Sequence, residues 1–442
     1  MSGHLRIAAP AVLVDEPVGF TVEGCPPGET VTVRAAWTIG VEPVQSEGQF
    51  TAPPDGIVDP ARLPSTGGTY TGTDPHGLWW SVTGPDVPED PDLLGEWEVR
   101  ITAAGQGWTD SGTLVRRKVD PSVRVLEVRD GRLRGVAFLP GRQGSLPAVV
   151  VYSGSGGGLG GLGGVTSTAA LLASHGFAAL ALAYFRYDDL PADLIGIPLE
   201  YFLEAITWLQ AKAQPAHGTV AVMGASRGGE LSLLLGSTYP EHISAVVAKV
   251  PSGVVWGGLA REPVPGAAAW TVHGQPVTPL SSEGSGPADV PLREDAIVLT
   301  PGFEAQLAAA TAADLEAAEI PVERCGGPVL LLSGQDDAMW PSTALAEIAV
   351  RRARAHGAAH AVRHLSYPDA GHTFATPAGL PVARRAVHPL SGQTYAYGGT
   401  PAGNAHASAE SWREILAFLR SSLAAPDPSD PRDAARGTTQ PR

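Results

Sequence analysis

The sequence predicts an α/β protein: a mostly parallel, doubly wound sheet preceded by a small all-β domain. Three observations carry this. Up to about residue 120 the chain shows short alternating runs broken by turn formers and no long helical period. Beyond about residue 123, continuous apolar runs alternate with helical segments, the rhythm of parallel strands and crossover helices. In the middle of that second region lies Gly224-Ala225-Ser226-Arg227-Gly228, a G-x-S-x-G between a β-branched apolar run and a helix-forming one.

In the first region, Val18 to Val22, Thr30 to Arg34 and Gly95 to Ile101 read as strands. Cys25-Pro26-Pro27-Gly28 and Pro53-Pro54-Asp55-Gly56 read as the turns between them, and a small antiparallel sandwich accommodates them all. In the second region, Ala148 to Tyr152, Phe177 to Leu182, Ile243 to Val250, Val329 to Leu332 and Ala361 to Tyr367 read as strands. Leu199 to Ala213 and Ser411 to Leu423 read as helices. The stretch from Pro251 to Asp295 is rich in Gly and Pro with little periodicity, and reads as an insertion near the site or a surface excursion. This gives a β-sandwich domain over 1–123, a catalytic domain over 124–425 and a disordered tail over 426–442.

The chain of 442 residues carries a formal net charge of −15, which disfavours nucleic acid or an anionic membrane as partner. The partner expected is a small molecule. Two cysteines, Cys25 and Cys325, make no disulfide framework and fit a reducing compartment. The N-terminus lacks the form of a signal peptide, and no apolar run is long enough to span a bilayer, so the expected location is cytoplasmic.

The G-x-S-x-G context is that of the nucleophile elbow of the α/β-hydrolase fold. Its glycines permit a strained turn, and the turn presents the Ser226 hydroxyl at the start of a helix, where developing negative charge is favoured. Serine is a weak nucleophile alone and needs a histidine held by a carboxylate. The loop after the strand ending at Leu332 offers Asp336 and Asp337, whose adjacent side chains cannot both face one imidazole. Of the histidines beyond them, His372 stands in a turn right after a predicted strand, whereas His356, His360 and His364 lie in or beside helix and strand patterns. A tetrahedral oxyanion needs positioned donors. The backbone N–H groups of Arg227 and of Ser155, in the loop Ser153-Gly154-Ser155-Gly156-Gly157-Gly158, are the candidates. That loop lacks the Gly-Lys-Ser/Thr ending of a phosphate loop, and no His/Cys cluster has metal-ligand spacing, so no metal or redox cofactor is implied.

Further stretches resemble one family over residues 8 to 423. Asp15-Glu16-Pro17-Val18, Val31 to Ala35 and Gly77-Leu78-Trp79-Trp80 do so in the first domain. In the second, Gly154 to Gly158 is followed by Ala181-Leu182-Ala183-Tyr184-Phe185-Arg186-Tyr187, Asp189-Leu190-Pro191 and Ile197 to Phe202. The elbow follows in its longer form, Gly224 to Leu231, then Pro321 to Arg324, Gly334-Gln335-Asp336-Asp337 and Tyr367-Pro368 with Gly371-His372. In these the chain resembles the acyl-CoA thioesterase and bile acid-CoA:amino acid N-acyltransferase family. The resemblance implies a β-sandwich joined to an α/β-hydrolase domain, an acyl-CoA substrate, and Ser226, Asp337 and His372 as nucleophile, acid and base. Members that conjugate bile acids to amino acids use cysteine as nucleophile; serine here favours transfer to water. The sequence departs from the family at Thr373-Phe374-Ala375-Thr376 and across 251–295. The function expected is a serine hydrolase cleaving an acyl-CoA thioester. An acyltransferase or carboxylester hydrolase of the same fold, and a non-catalytic acyl-ligand binder, are the alternatives.

Overall fold

The computed structural model describes residues 3–83, 90–142, 144–262, 264–280, 290–358, 361–374 and 377–424. The expected tail over 426–442, His360, Ala375 and Thr376 lie outside these residues, as do 263 and 281–289 of the Gly/Pro-rich stretch.

The amino-terminal part is built on a six-stranded sheet in the order Ala11–Leu13, Trp108–Arg117, Glu96–Gly105, Thr30–Ile39, Glu42–Thr51, Gly67–Gly68. A separate pair, His4–Ile7 with Phe20–Glu23, lies in a second sheet. Alternation decides which face is buried: in Thr30–Ile39, Val31, Val33, Ala35, Trp37 and Ile39 point inward and the residues between them outward. Trp37 packs against Trp79 and Trp97 with ring centroids 6.3 and 6.2 Å away. The sheet is not purely antiparallel as expected, because Ala11–Leu13 pairs parallel to Trp108–Arg117. So short an edge strand, reached by a long connection, can join in either sense.

The second part is organised by an eight-stranded sheet. Its strands in chain order are β1 (Arg124–Asp130), β2 (Leu133–Leu139), β3 (Ala148–Tyr152), β4 (Ala178–Ala183), β5 (Val220–Ala225), β6 (Ile243–Lys249), β7 (Val329–Gly334) and β8 (Val362–Tyr367). Their spatial order is β1-β2-β4-β3-β5-β6-β7-β8, with β2 antiparallel to both neighbours and every pair from β4 to β8 parallel. This is the α/β-hydrolase fold. The strands β3, β4 and β7 are buried throughout, as their unbroken apolar runs require. Helices α1 (Val165–Ser174), α2 (Leu199–Ala213), α3 (Arg227–Thr238), α4 (Ser342–Ala355) and α5 (Pro401–Ser422) flank the sheet.

The last helix begins at Pro401, ten residues before the expected Ser411. Thr400 caps it by accepting the Gly403 N–H, and Pro401 occupies its first turn. Gly403 and Asn404 depress local propensity and hide this start in the sequence.

The two parts are joined by buried polar contacts. Asp15 of the first accepts from Trp412 Nε1 of α5 at 2.7 Å and lies 2.6 Å from His175 Nε2 at the end of α1. Arg116, fully buried over the Trp79 ring at 4.2 Å, donates to the carbonyl of Gly379 at 3.1 Å and to that of Val14.

Candidate active site

Parallel strands end on one edge of the sheet, and the loops leaving that edge carry the serine, the acid and the histidine. Between β5 and α3 the chain turns at Ser226, whose φ of 59° and ψ of −123° are unusual for a residue with a Cβ. The turn is held by the Ser226 N–H donating to the Lys249 carbonyl at 2.9 Å. Space here is tight: a Cβ on Gly228 would lie 2.6 Å from the Ser153 carbonyl oxygen. The same holds at Gly154, where a Cβ would lie 2.7 Å from the Ala225 oxygen and 3.1 Å from the Ser226 Cβ.

After β7 the chain reaches Asp337, whose side chain is 1% exposed. Its carboxylate accepts the backbone N–H of Met339 at 2.9 Å and of Trp340 at 3.3 Å. It also accepts from His372 Nδ1, 3.0 Å from Oδ1 and 2.9 Å from Oδ2. A carboxylate can only accept, so the neutral imidazole carries its proton on Nδ1 and leaves Nε2 as an acceptor. His372 follows β8. Its backbone donates to the Tyr397 carbonyl at 2.7 Å, and its ring packs near those of Trp340 and Tyr397, with centroids 6.1 and 6.2 Å away. Asp336, the other candidate, turns outward to Arg293 at 2.8 Å. Among the described residues no hydrogen bond joins Ser226 Oγ to His372; such bonds commonly tighten only when substrate arrives.

Ser226, Arg227 and Ser155 line one cavity of about 660 Å³, whose other walls include Trp256, Leu280, Phe303, Met339 and Trp340. Trp256 and Phe303 meet edge-to-face at 4.8 Å, as do Phe303 and Trp340 at 5.8 Å. Thus the described part of the Gly/Pro-rich stretch reaches the site. Among the described residues, no carbonyl accepts from the backbone N–H of Ser155 or Arg227. The glycine-rich loop is fixed from outside. Tyr184 Oη donates to the Ser153 carbonyl at 3.0 Å, Arg186 Nη1 to the Gly156 carbonyl at 2.6 Å, and the Gly158 N–H to the Phe185 carbonyl at 2.9 Å. The Arg227 side chain donates to the Trp256 carbonyl at 2.8 Å and pairs with Glu230 at 3.3 Å. Glu230 is fully buried and accepts from Trp270 Nε1 at 2.7 Å; burial pushes its carboxyl up to about 7, against the opposing pull of Arg227.

Sequence reasoning singles out neither Glu230 nor His388. His388 lines the cavity and lies 3.0 Å from Ser155 Oγ. Its surroundings carry no local motif, and only the tertiary fold brings it 233 positions back along the chain. A second serine–histidine–acid arrangement does exist: His364 lies 2.8 Å from Ser333 Oγ and 2.8 Å from Glu347. Ser333 is fully buried within β7, so no substrate reaches it. A larger cleft of about 960 Å³, between the two parts and against Asp15 and Trp412, does not include Ser226.

Two family models match the chain. One, described as acyl-CoA thioester hydrolase/BAAT N-terminal region, matches residues 15–130, and one described as BAAT/acyl-CoA thioester hydrolase C terminal matches 197–425. Similar proteins include human acyl-coenzyme A thioesterase 1, 32% identical and covering 92% of this chain and 94% of that one. Human mitochondrial acyl-coenzyme A thioesterase 2 is also 32% identical (92% and 82%). Mouse peroxisomal succinyl-coenzyme A thioesterase is 30% identical (92% and 93%). Among solved structures, an esterase from Pyrobaculum calidifontis is similar with a TM-score of 0.38 and 19% identity, covering 68% of this chain and 82% of that one.

Proposed function

This chain belongs to the acyl-CoA thioester hydrolase/BAAT family, and from that premise we propose that Ser226, His372 and Asp337 form the catalytic triad with which it hydrolyses acyl-CoA. The protein is an acyl-CoA thioesterase-like serine hydrolase. The observation that carries the triad is the bond from His372 Nδ1 to the buried Asp337 carboxylate, on the sheet edge that also bears the strained Ser226.

In the proposed reaction, Ser226 Oγ attacks the thioester carbonyl while His372 Nε2 takes its proton. The resulting oxyanion is held by the backbone N–H groups of Arg227 and Ser155. Collapse breaks the C–S bond, and the departing thiolate takes the proton from His372. Water then attacks the acyl-serine, again giving a proton to His372, and Ser226 recovers it as the free acid leaves. Asp337 orients the ring and stabilises its charged form. The apolar walls at Trp256, Leu280, Phe303 and Trp340 suit the acyl group and support a role in lipid metabolism. The two free cysteines support a reducing compartment, of which the cytoplasm is the one proposed. No helix among the described residues is long and apolar enough to cross a membrane.

The test is Ser226→Ala, assayed by thiol release over a range of acyl-CoA chain lengths. Turnover should fall by several orders of magnitude, about 10⁶-fold where the triad acts as a unit. A fluorophosphonate should label the wild-type protein at Ser226. Retained turnover in the variant would remove this serine from the mechanism. Product analysis with added amines distinguishes hydrolysis from transfer.

A further inference from the structure

Ser155 has a side chain as well as a backbone N–H to offer the site. His388 Nε2 lies 3.0 Å from Ser155 Oγ, and the Leu390 N–H points at His388 Nδ1 at 3.4 Å. A neutral imidazole has one donor and one acceptor nitrogen. With an N–H directed at Nδ1, the ring proton belongs on Nε2 and is donated to Ser155. Burial, and after it the nearby Arg186 charge, hold His388 below its ordinary 6.5, which keeps the ring neutral. A hydroxyl that accepts this bond still has its own O–H to give. Among the described residues no protein group takes it.

Where that O–H can go is restricted. Ser155, His388 and Ser226 line the same cavity, and Gly154, next in the chain, is packed directly against Ser226. The loop itself is fixed by Tyr184 and Arg186, so the hydroxyl is presented from a rigid support. His388 comes from the hairpin formed by Arg385–Val387 and Thr394–Ala396. Just past the second strand, the Tyr397 carbonyl accepts the His372 N–H. One hairpin therefore registers both the oxyanion side and the base side of the site.

We propose that the Ser155 hydroxyl is a third oxyanion donor, a catalytic group acting beside the two backbone N–H groups, and that His388 is the positioning residue that aims it at the thioester oxygen. The inference rests on the Ser226 acyl-enzyme reading. No proton changes hands: the bond strengthens as charge develops on the oxygen and weakens when the carbonyl re-forms.

The experiment measures acyl-CoA hydrolysis by Ser155→Ala, His388→Leu, His388→Gln and the double variant Ser155→Ala/His388→Leu, beside Ser226→Ala. Ser155→Ala should lower kcat by about 10²-fold, the effect of losing one such donor, with KM little changed. His388→Leu should fall in parallel, and the double variant no further, since both remove one interaction. His388→Gln, whose amide N–H can still donate, should recover most of the loss. A general loss of structure would not be rescued in this way. Wild-type kcat in Ser155→Ala, or additive losses in the double variant, overturns the proposal while an inactive Ser226→Ala leaves the acyl-enzyme reading intact. Turnover by Ser226→Ala overturns both. Should His388→Leu fail to fold, Ser155→Ala and His388→Gln decide the matter.

Discussion

Asp337→Asn tests the triad through a single proton. The carboxylate Oδ1 accepts the Met339 and Trp340 backbone N–H groups at 2.9 and 3.3 Å. Those donors dictate that the asparagine amide oxygen replaces Oδ1. The amide nitrogen then takes the place of Oδ2, 2.9 Å from His372 Nδ1. An Nδ1–H would then meet the amide nitrogen at 2.9 Å and, at 3.0 Å, an amide oxygen already shared by two backbone donors, so the imidazole adopts its other tautomer, with Nδ1 accepting from the amide and Nε2 protonated. A protonated Nε2 cannot take the Ser226 proton. The expected loss in kcat is about 10³- to 10⁴-fold, or ~4–5.5 kcal/mol of transition-state stabilisation at about 1.36 kcal/mol per decade. The assay is thiol release from acyl-CoA, with a melting curve to establish that the variant is folded. Asp336→Asn is the control. Its side chain is 47% exposed in a surface pair with Arg293, so its loss should cost less than about 1 kcal/mol. Activity in Asp337→Asn within about tenfold of wild type, or greater damage from Asp336→Asn, would refute the reasoning.

Phe303→Ala removes a ring that packs edge-to-face on both Trp256 and Trp340 in the cavity. It should lower kcat/KM for long acyl chains by about 10- to 100-fold, the worth of about 1.5–3 kcal/mol of apolar contact, and leave acetyl-CoA nearly unaffected; equal losses for both would argue that this wall does not meet the acyl group. Glu230 keeps its proton in the folded state from its ordinary 4.5 up to about 7, whereas the unfolded chain releases it near 4.5. The folded state binds more protons in that window, so this group's contribution to stability falls as pH rises through it, by up to about 1.4 kcal/mol per pH unit. Glu230→Gln should remove the slope: its melting temperature should gain on wild type between about pH 5 and pH 8, and a constant difference would contradict a raised carboxyl.

Much of the framework is legible in the residues themselves. Ala148–Tyr152 and Leu199–Ala213 stand where their apolar run and helical period put them, because a fully buried strand and an amphipathic helix write their environments locally. The elbow is legible for the same reason: a strained strand-to-helix turn admits few residues. Helices Thr300–Ala309 and Ala312–Ala318 are not; the first buries no residue, so it has no apolar stripe to read. The parallel edge strand Ala11–Leu13 escapes a sequence reading because three residues carry no sign of their partner's direction.

Local chemistry, then, was determined by the sequence: which serine sits at a tight turn, which loops follow buried strands, which glycines must stay bare. Only the tertiary structure decided between neighbours and between distant groups. Asp336 and Asp337 are alike in composition and context, and differ because one faces Arg293 in solvent while the other is sealed against His372. His388 meets Ser155 because a hairpin far along the chain folds over the glycine-rich loop. A hydrogen bond acts over about 3 Å, and which groups come that close depends on how the whole chain packs.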